Sequence, residues 1–409
     1  MQKEYDIAIV GGGLVGASLA CSLAQSNFRV AVLEQYSLSA GQQPSYDERG
    51  LALSLASCRI LQAIHVWPSL ANKAIPIRHI HISDRGKFGS VRLHAADLQI
   101  NAMGYVVKAR EIGEVILEKI SNIKNIDYLC PQKISDIEMS DNQVDIKLED
   151  TKKSDSISCK LLVAADGTNS CIRENLSIPT EYKDYGQVAI VCNISMDRDH
   201  NNTAYERFTS SGPLALLPMS QSRYVSILCV QRDNLSEYMS MDEDDYTKVL
   251  QDISGKRAGK IIKLGNKQSY ELKLIRAKHQ YKERVLLLGN AAHTVHPNGA
   301  QGFNLGLRDV AALAELILTL PPECQDPGNT QLLIDYVNLR KHDQDKVIDF
   351  TDALASLFYT EDYFSVIVRK FGMSVLDMLP VLKNYFVKQA MGLHGKQPGL
   401  VRGLRLDQL

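Results

Sequence analysis

Three short stretches of this 409-residue chain bring together residue types that could do chemistry. The first is Gly11-x-Gly13-x-x-Gly16, followed by an acidic residue, Glu34. Gly11 permits a tight turn, Gly13 lets the backbone approach a pyrophosphate, and Gly16 allows a helix to pack closely on a strand. The helix behind them offers N–H groups and a positive partial charge. Glu34 can then accept hydrogen bonds from an adenosine ribose. The second stretch is Asp166-Gly167 at the end of an apolar run. The third, GNAAHTVHPNGAQGFNLGLRD from Gly289 to Asp309, holds Asn290, His293, His296, Pro297, Gly302 and Asn304. His293 and His296, with Pro297 beside them, are candidates for acid–base work, although a loop histidine satisfied by its own surroundings is the plainer alternative. Their spacing would also suit two metal ligands, but no third ligand is evident and no metal site is expected. No Ser-His-Asp, Cys-His or paired-carboxylate arrangement is evident, so the hard chemistry falls to a cofactor.

The elements around these stretches must position them. YDIAIV (5–10) is a β-branched apolar run, Ala17, Ala20, Leu23 and Ala24 follow at helical spacing, and RVAVLEQ (29–35) returns as a strand. Together they predict a right-handed βαβ unit. KLLVAADGTNS from 160 and RVLLLGN from 284 are buried strands, each delivering a turn at its carboxyl end, where open α/β sheets bind ligands. A cofactor spanning three glycine-bearing strand ends must be long, which suits FAD better than NAD. The helix after 303 carries Leu307, Val310, Leu313, Ile317 and Leu320 on one face and stops at Pro321-Pro322. Between 187 and 275, short strands separated by turn residues predict an antiparallel meander, and RHIHISD…SVRLHAAD (78–97) suits the same sheet. PLALLPM is apolar on both faces; one face suits the floor of a pocket over the cofactor, and core packing accounts for it equally well.

The expected fold class is therefore α/β. A Rossmann-like FAD-binding domain (1–77, 105–180 and 276–345) is interleaved with an antiparallel-sheet substrate domain (78–104 and 181–275), and a C-terminal helical segment (346–409) follows. A net charge of -1 lacks the basic excess of nucleic-acid binders, so no nucleic-acid partner is expected. The eight cysteines are scattered without a Cys-x-x-Cys pair, as in a reducing compartment. MQKEYDIAIV runs straight into a strand without a signal-peptide pattern, and no run of about 20 apolar residues offers a spanning helix. The expected location is cytoplasmic. The segment 366–409 sets Arg369, Lys370, Lys383, Lys388, Lys396, Arg402 and Arg405 against Asp377 and Asp407. Such a basic amphipathic segment suits peripheral contact with an anionic inner-membrane surface, and packing on the flavin domain or a partner subunit suits it as well.

In their order and spacing, Gly11 to Glu34, Asp166-Gly167 and Gly289 to Asp309 resemble the aromatic-hydroxylase family of single-component flavin monooxygenases, with its para-hydroxybenzoate-hydroxylase-like fold. Within that family DERGLALS, SDRG, ERFTSSGPLALLPM and GNAAHTVHP…QGFNLGLRD are similar to the ubiquinone-biosynthesis hydroxylases, most of all their methoxyphenol hydroxylase branch. The resemblance implies FAD as cofactor, NAD(P)H and O2 as co-substrates, a C4a-hydroperoxyflavin, and oxygen transfer to a prenylated phenol, 2-polyprenyl-6-methoxyphenol. It implies that Arg49 and Arg110 lie along the flavin's phosphates or ring edge, that Asp166 serves FAD, and that Asn290 lies near the ribityl chain. The GAQGFN turn, with Gly302 and Asn304, would present N–H groups to the isoalloxazine. Surface arginines and a plain Asp-Gly turn are the alternatives.

Two departures from the family pattern stand out. Position 290 is Asn where the family usually has Asp, which exchanges a charged hydrogen bond of about 1.5–3 kcal/mol for a neutral one of about 0.5–1.5. Gly299 and Ala300 are exchanged relative to the family's Pro-x-Ala-Gly-Gln-Gly. No second nicotinamide fingerprint is present, so the reductant is expected to bind transiently. Other ubiquinone-biosynthesis proteins and a second copy of the chain are the protein partners the resemblance suggests. Another ring-position hydroxylase, a flavin reductase or oxidase without oxygen insertion, and a structural flavoprotein of a biosynthetic complex stay open as alternatives.

Overall fold

The computed structural model describes residues 3–37, 47–86, 89–149, 156–209, 211–296, 298–321, 325–359, 377, 379–393 and 397–408. The chain begins β1 (Lys3–Val10), α1 (Leu14–Ser22) and β2 (Val30–Leu33). It continues through β3 (Gly50–Ser54), α2 (Leu55–Ala63), α3 (Trp67–Leu70), β4 (Ile75–Ile77), β5 (His79–Asp84) and β6 (Ser90–His94). Next come β7 (Gly104–Lys108), α4 (Ala109–Ile120), β8 (Ile126–Leu129), β9 (Ile134–Met139), β10 (Val144–Leu148), β11 (Ser156–Ala164) and α5 (Cys171–Asn175). The central strands are β12 (Thr180–Met196), β13 (Thr203–Phe208), β14 (Leu214–Pro218) and β15 (Arg223–Gln231). Helices α6 (Leu235–Ser240) and α7 (Glu243–Ser254) precede β16 (Ile261–Leu264) and β17 (Gln268–Ala277). The last strands are β18 (Tyr281–Lys282), β19 (Val285–Leu287) and β20 (His293–Thr294), followed by α8 (Gln301–Leu318) and α9 (Thr330–Tyr359).

The first sheet has the order β18-β19-β11-β1-β2-β8, with β10 and β9 attached through β11. Its four central strands are parallel. They are buried on both faces, as crossover helices require: Ile7 and Ile9 pack with the helical layer of α1, α4 and α8, while Ala8 and Val10 pack on the other side with Val144 and Ile146 of β10. Helix α1 is apolar all round because it is sandwiched between the sheet and α8.

The second sheet runs β20-β17-β12-β15-β14-β13-β5-β6, with β16 on β12. As expected from the sequence, 78–97 supplies two of its strands, but the sheet is not a pure meander, since β5 pairs parallel to β13. That pairing joins segments more than a hundred residues apart, and local alternation cannot reveal its direction. Helix α7 covers one face through Tyr246, Leu250 and Ile253. The opposite face meets a small third sheet, β3-β7-β4, that the sequence did not predict: Ala204, Leu217 and Val225 pack there with Val106 of β7.

Helix α9 runs unbroken across residues 345 and 346, where the sequence placed the start of a separate C-terminal segment. Of the basic segment beyond 366, residues 366–376 lie outside the described residues. The described helix Pro380–Ala390 buries Val387, which packs with Met391, Val91, Leu93 and Met103 against β6. Among the described residues no helix is long and apolar enough to cross a membrane.

Candidate active site

Strands β2, β1, β11 and β19 lie side by side, so their carboxyl ends bring Glu34, the glycine turn, Asp166-Gly167 and Gly289-Asn290 to one edge of the sheet. The turn is built by close contact. Gly11 has φ +102, and a Cβ on it would sit 2.5 Å from the Ala165 carbonyl oxygen. A Cβ on Gly16 would meet the Gly11 oxygen at 2.0 Å. Helix α1 then starts at Gly13 without a side-chain cap, so its first N–H groups are left for an anion. Glu34 is buried, and each of its oxygens takes one backbone amide, from Gly12 and from Tyr36, both at 2.8 Å. A carboxylate offers about four lone-pair sites, so two ribose hydroxyls can still be accepted.

The Asp166 carboxylate accepts from the Ile172 N–H at 3.2 Å through one oxygen, while its buried Oδ1 has no hydrogen-bond partner among the described residues. Gly167 has φ +84 and open space where a Cβ would be. Asn290 is exposed beside Gly289. An uncapped helix start, a cradle that excludes Cβ atoms and an orphaned buried acceptor are what a long phosphate-bearing cofactor would satisfy, so the residues fit FAD.

The third stretch is locked to the first through Val15. Built Cβ atoms on Gly289 and Gly306 would approach its methyls at 3.1 and 2.9 Å, so these two glycines form the notch that receives Val15. Helix α8 also begins without a side-chain cap, directly after Gly299 and Ala300, both left-handed at φ 67 and 53. Alanine in that conformation costs about 1 kcal/mol that glycine would avoid, and with both positions left-handed either order of the two residues meets that cost. Gly302 lies in the uncapped first turn, with nothing closer to a built Cβ than Val295 at 3.8 Å.

The family described as "FAD binding domain" matches residues 4–351. Ubiquinone hydroxylase UbiL of Rhodospirillum rubrum is 33% identical over 408 residues, covering 99% of this chain and 94% of that protein. The chain belongs to the FAD-dependent hydroxylases of ubiquinone biosynthesis. A 3-demethoxyubiquinol 3-hydroxylase of Escherichia coli is 26% identical over 395 residues, covering 96% of this chain and 99% of that one. The fold matches the crystal structure of p-nitrophenol 4-monooxygenase PnpA from Pseudomonas putida DLL-E4 with a TM-score of 0.79 at 17% identity, covering 97% of this chain and 100% of that one.

Several residues of this hydroxylase stand differently from the sequence expectation. Asn304 is buried with its side chain saturated: Oδ1 accepts from the Ser54 N–H (2.8 Å) and the Ser57 hydroxyl (2.6 Å), and Nδ2 donates to the carbonyls of Ala52 (2.8 Å) and Ala300 (2.7 Å). That side chain has no capacity left for a flavin, and it clamps β3 and α2 to the start of α8, while the expectation of backbone N–H groups facing the ring concerns the turn itself. His293 is buried and its Nε2–H donates to Asp309 Oδ2 at 2.6 Å. Asp309 Oδ1 accepts from Arg340 (2.7 Å) and Gln344 (2.9 Å), and Arg340 and Arg308 both pair with Asp343. That imidazole is held in a buried ionic network, and its Nδ1 has no hydrogen-bond partner among the described residues. His296 is also buried, with Tyr185 edge-on at 4.8 Å. Pro297 lies outside the described residues.

Arg49, in the loop before β3, pairs with Asp47 at 2.5 Å and lies 4.5 Å from the ring centroid of Tyr270 on β17. Arg110 is exposed on α4 and paired with Glu114 at 2.8 Å and Glu48 at 3.5 Å. The sequence reading missed Arg173, a buried guanidinium that donates to the carbonyls of Ala291 and Thr168, both at 2.9 Å, tying the second stretch to the third. An arginine six residues after Asp-Gly, in the turn of helix that follows, was the available signal. Tyr128 was missed as well: its hydroxyl donates to the Gly12 carbonyl at 3.3 Å and braces the cradle from β8.

Proposed function

We propose that this hydroxylase adds one oxygen atom of O2 to the ring of a prenylated methoxyphenol, with NAD(P)H as the reductant. The observation that carries this assignment is the apolar face of the second sheet. Ala204, Leu217 and Val225 are buried there, while Val191, Ile227, Ile80 and, across from them, Ala52 of β3 keep partial exposure between the sheets. An aromatic ring with an isoprenoid tail suits such a lining, because its burial is driven by the apolar area removed from water. When bound, FAD carries the redox chemistry, taking a hydride from the nicotinamide and activating O2. The chain supplies the phosphate cradle, the uncapped α8 N-terminus, which favours negative charge beside it, and a water-poor apolar wall.

The resemblance of the DERGLALS and GNAAHTVHP motifs to the methoxyphenol hydroxylase branch supports 2-polyprenyl-6-methoxyphenol as that ring. Hydroxylation at another ring position is the second assignment, supported by the Escherichia coli relative whose name specifies a 3-hydroxylase. The test is mass analysis after incubating FAD-loaded protein with NADPH, isotopically labelled O2 and a short-tailed 2-prenyl-6-methoxyphenol. One labelled oxygen on the ring is expected, and its position separates the two assignments. NADPH consumed to peroxide with the phenol unchanged would refute both.

A further inference from the structure

Strand β13 carries a carboxylate that nothing in the FAD site accounts for. Glu206 stands opposite Ala215 of β14 and Ile82 of β5. Alternation puts it on the same face as Ala204, the face that meets the small sheet at Val106. Glu206 is partly exposed although it lies among strands on both sides, as expected of a side chain bordering the gap where Ile80, Val191 and Ile227 also keep partial exposure. Among the described residues it has no hydrogen-bond or ion-pair partner. A carboxylate kept only to specify a core would be bonded, since buried polar groups almost always are. This one is bare, in the apolar region assigned to the substrate.

Resting on that assignment, we propose that Glu206 is the base that receives the proton of the substrate's phenolic hydroxyl. The phenol O–H bond breaks, its electron pair stays on oxygen, and the proton passes to the carboxylate. The phenolate so formed is activated at the ring carbons ortho and para to it, where the oxygen atom from O2 arrives. As the ring regains aromaticity, the displaced ring proton leaves to water and Glu206 returns its proton to the substrate oxygen, restoring the carboxylate. Burial among apolar groups pushes the Glu206 carboxyl up to about 7. That makes it a better match to a phenol, which ionises near 10 as tyrosine does, than a solvated glutamate would be. The neighbouring titratable group that feels it is the Cys229 thiol of β15, which burial pushes far up. Asp84 stands at the end of β5, and Ala215, Val106 and Ala52 bring no charge.

The experiment uses the FAD-loaded full chain as wild type, Glu206→Gln and Glu206→Asp. Infrared difference titration of the ligand-free protein should show one carboxyl protonating near neutral pH in the wild type and missing from E206Q. The product rate of E206Q should fall by about 10²–10⁴-fold with KM little changed, recover as pH rises toward the phenol's own ionisation, and be partly rescued in E206D. An E206Q rate within about threefold of wild type with an unaltered pH profile would overturn the base role and leave the hydroxylation assignment intact. If the wild type binds FAD and consumes NADPH without product, the assignment falls and this inference with it. If E206Q fails to hold FAD, E206D decides: a full wild-type rate in that variant would overturn the proposal, since the shortened carboxylate should reach the phenol less well.

Discussion

Asp309→Asn removes one charge and almost no volume from the most densely ionic part of the interior. The carboxylate is fully buried, with Oδ1 shared by Arg340 and Gln344 and Oδ2 taken by His293. Asparagine keeps one acceptor and turns the other position into a donor, which must face the N–H of His293 or those of Arg340 and Gln344. Arg340 is 2% exposed and would be left with Asp343 alone to balance it. Breaking a buried ion pair from one side costs about 3–5 kcal/mol, and the donor–donor contact adds to that rather than offsetting it. The swap is isosteric, so no cavity cost enters.

The pH dependence has a definite sign. Burial by itself would raise the Asp309 carboxyl, but His293 and Arg340 outweigh it and hold the group far below its usual range. A depressed carboxyl contributes stability above its unfolded value, near 3.9, and loses it as pH falls toward the folded value. The gap between wild type and D309N in urea unfolding, followed by far-UV circular dichroism on FAD-loaded protein, should therefore be flat from about pH 8 to 5 and narrow below about 4. A gap under about 1 kcal/mol at neutral pH, or one that widens on acidification, would refute the account of this network.

Gly16→Ala places a methyl group 2.0 Å from the Gly11 carbonyl oxygen, so the turn must open. FAD affinity should fall at least about tenfold, equivalent to 1.4 kcal/mol, by flavin fluorescence titration, and wild-type affinity would show that the cradle does not hold the pyrophosphate. Asn290→Asp puts a charge at an exposed position beside Gly289. If that side chain meets a ribityl hydroxyl, the gain of about 1 kcal/mol should tighten FAD about fivefold, and weaker binding would place the residue elsewhere.

What the chain's order of residues determined by itself is the cofactor cradle. Gly11, Gly13, Gly16 and Glu34 lie within one strand–turn–helix–strand unit, and the demands on them are local: a positive φ, a missing Cβ, a helix start. Steric rules of that kind are written in residue type and spacing. The buried parallel strands were legible for the same reason, because runs such as VAVL and KLLVA have few other places to go.

Only the tertiary structure decided what the polar side chains do. Asn304, expected in the flavin-facing turn, gives three of its four side-chain hydrogen bonds to Ser54, Ser57 and Ala52, some 250 residues away. His293, read as a candidate base, is held through Nε2 by Asp309, which Arg340 also contacts. Glu206 opens the ERFTSSGPLALLPM motif, but nothing in the sequence marked it as a base, since a lone glutamate in a strand reads as a solvated face. Its solvent access is reduced by the parallel pairing of β13 with β5 and by the small sheet facing them, contacts between segments far apart in the chain. A backbone's conformational needs are met within a few residues, whereas a side chain's hydration and partners are set by whatever the fold brings beside it, and that is where the chemistry of this hydroxylase is decided.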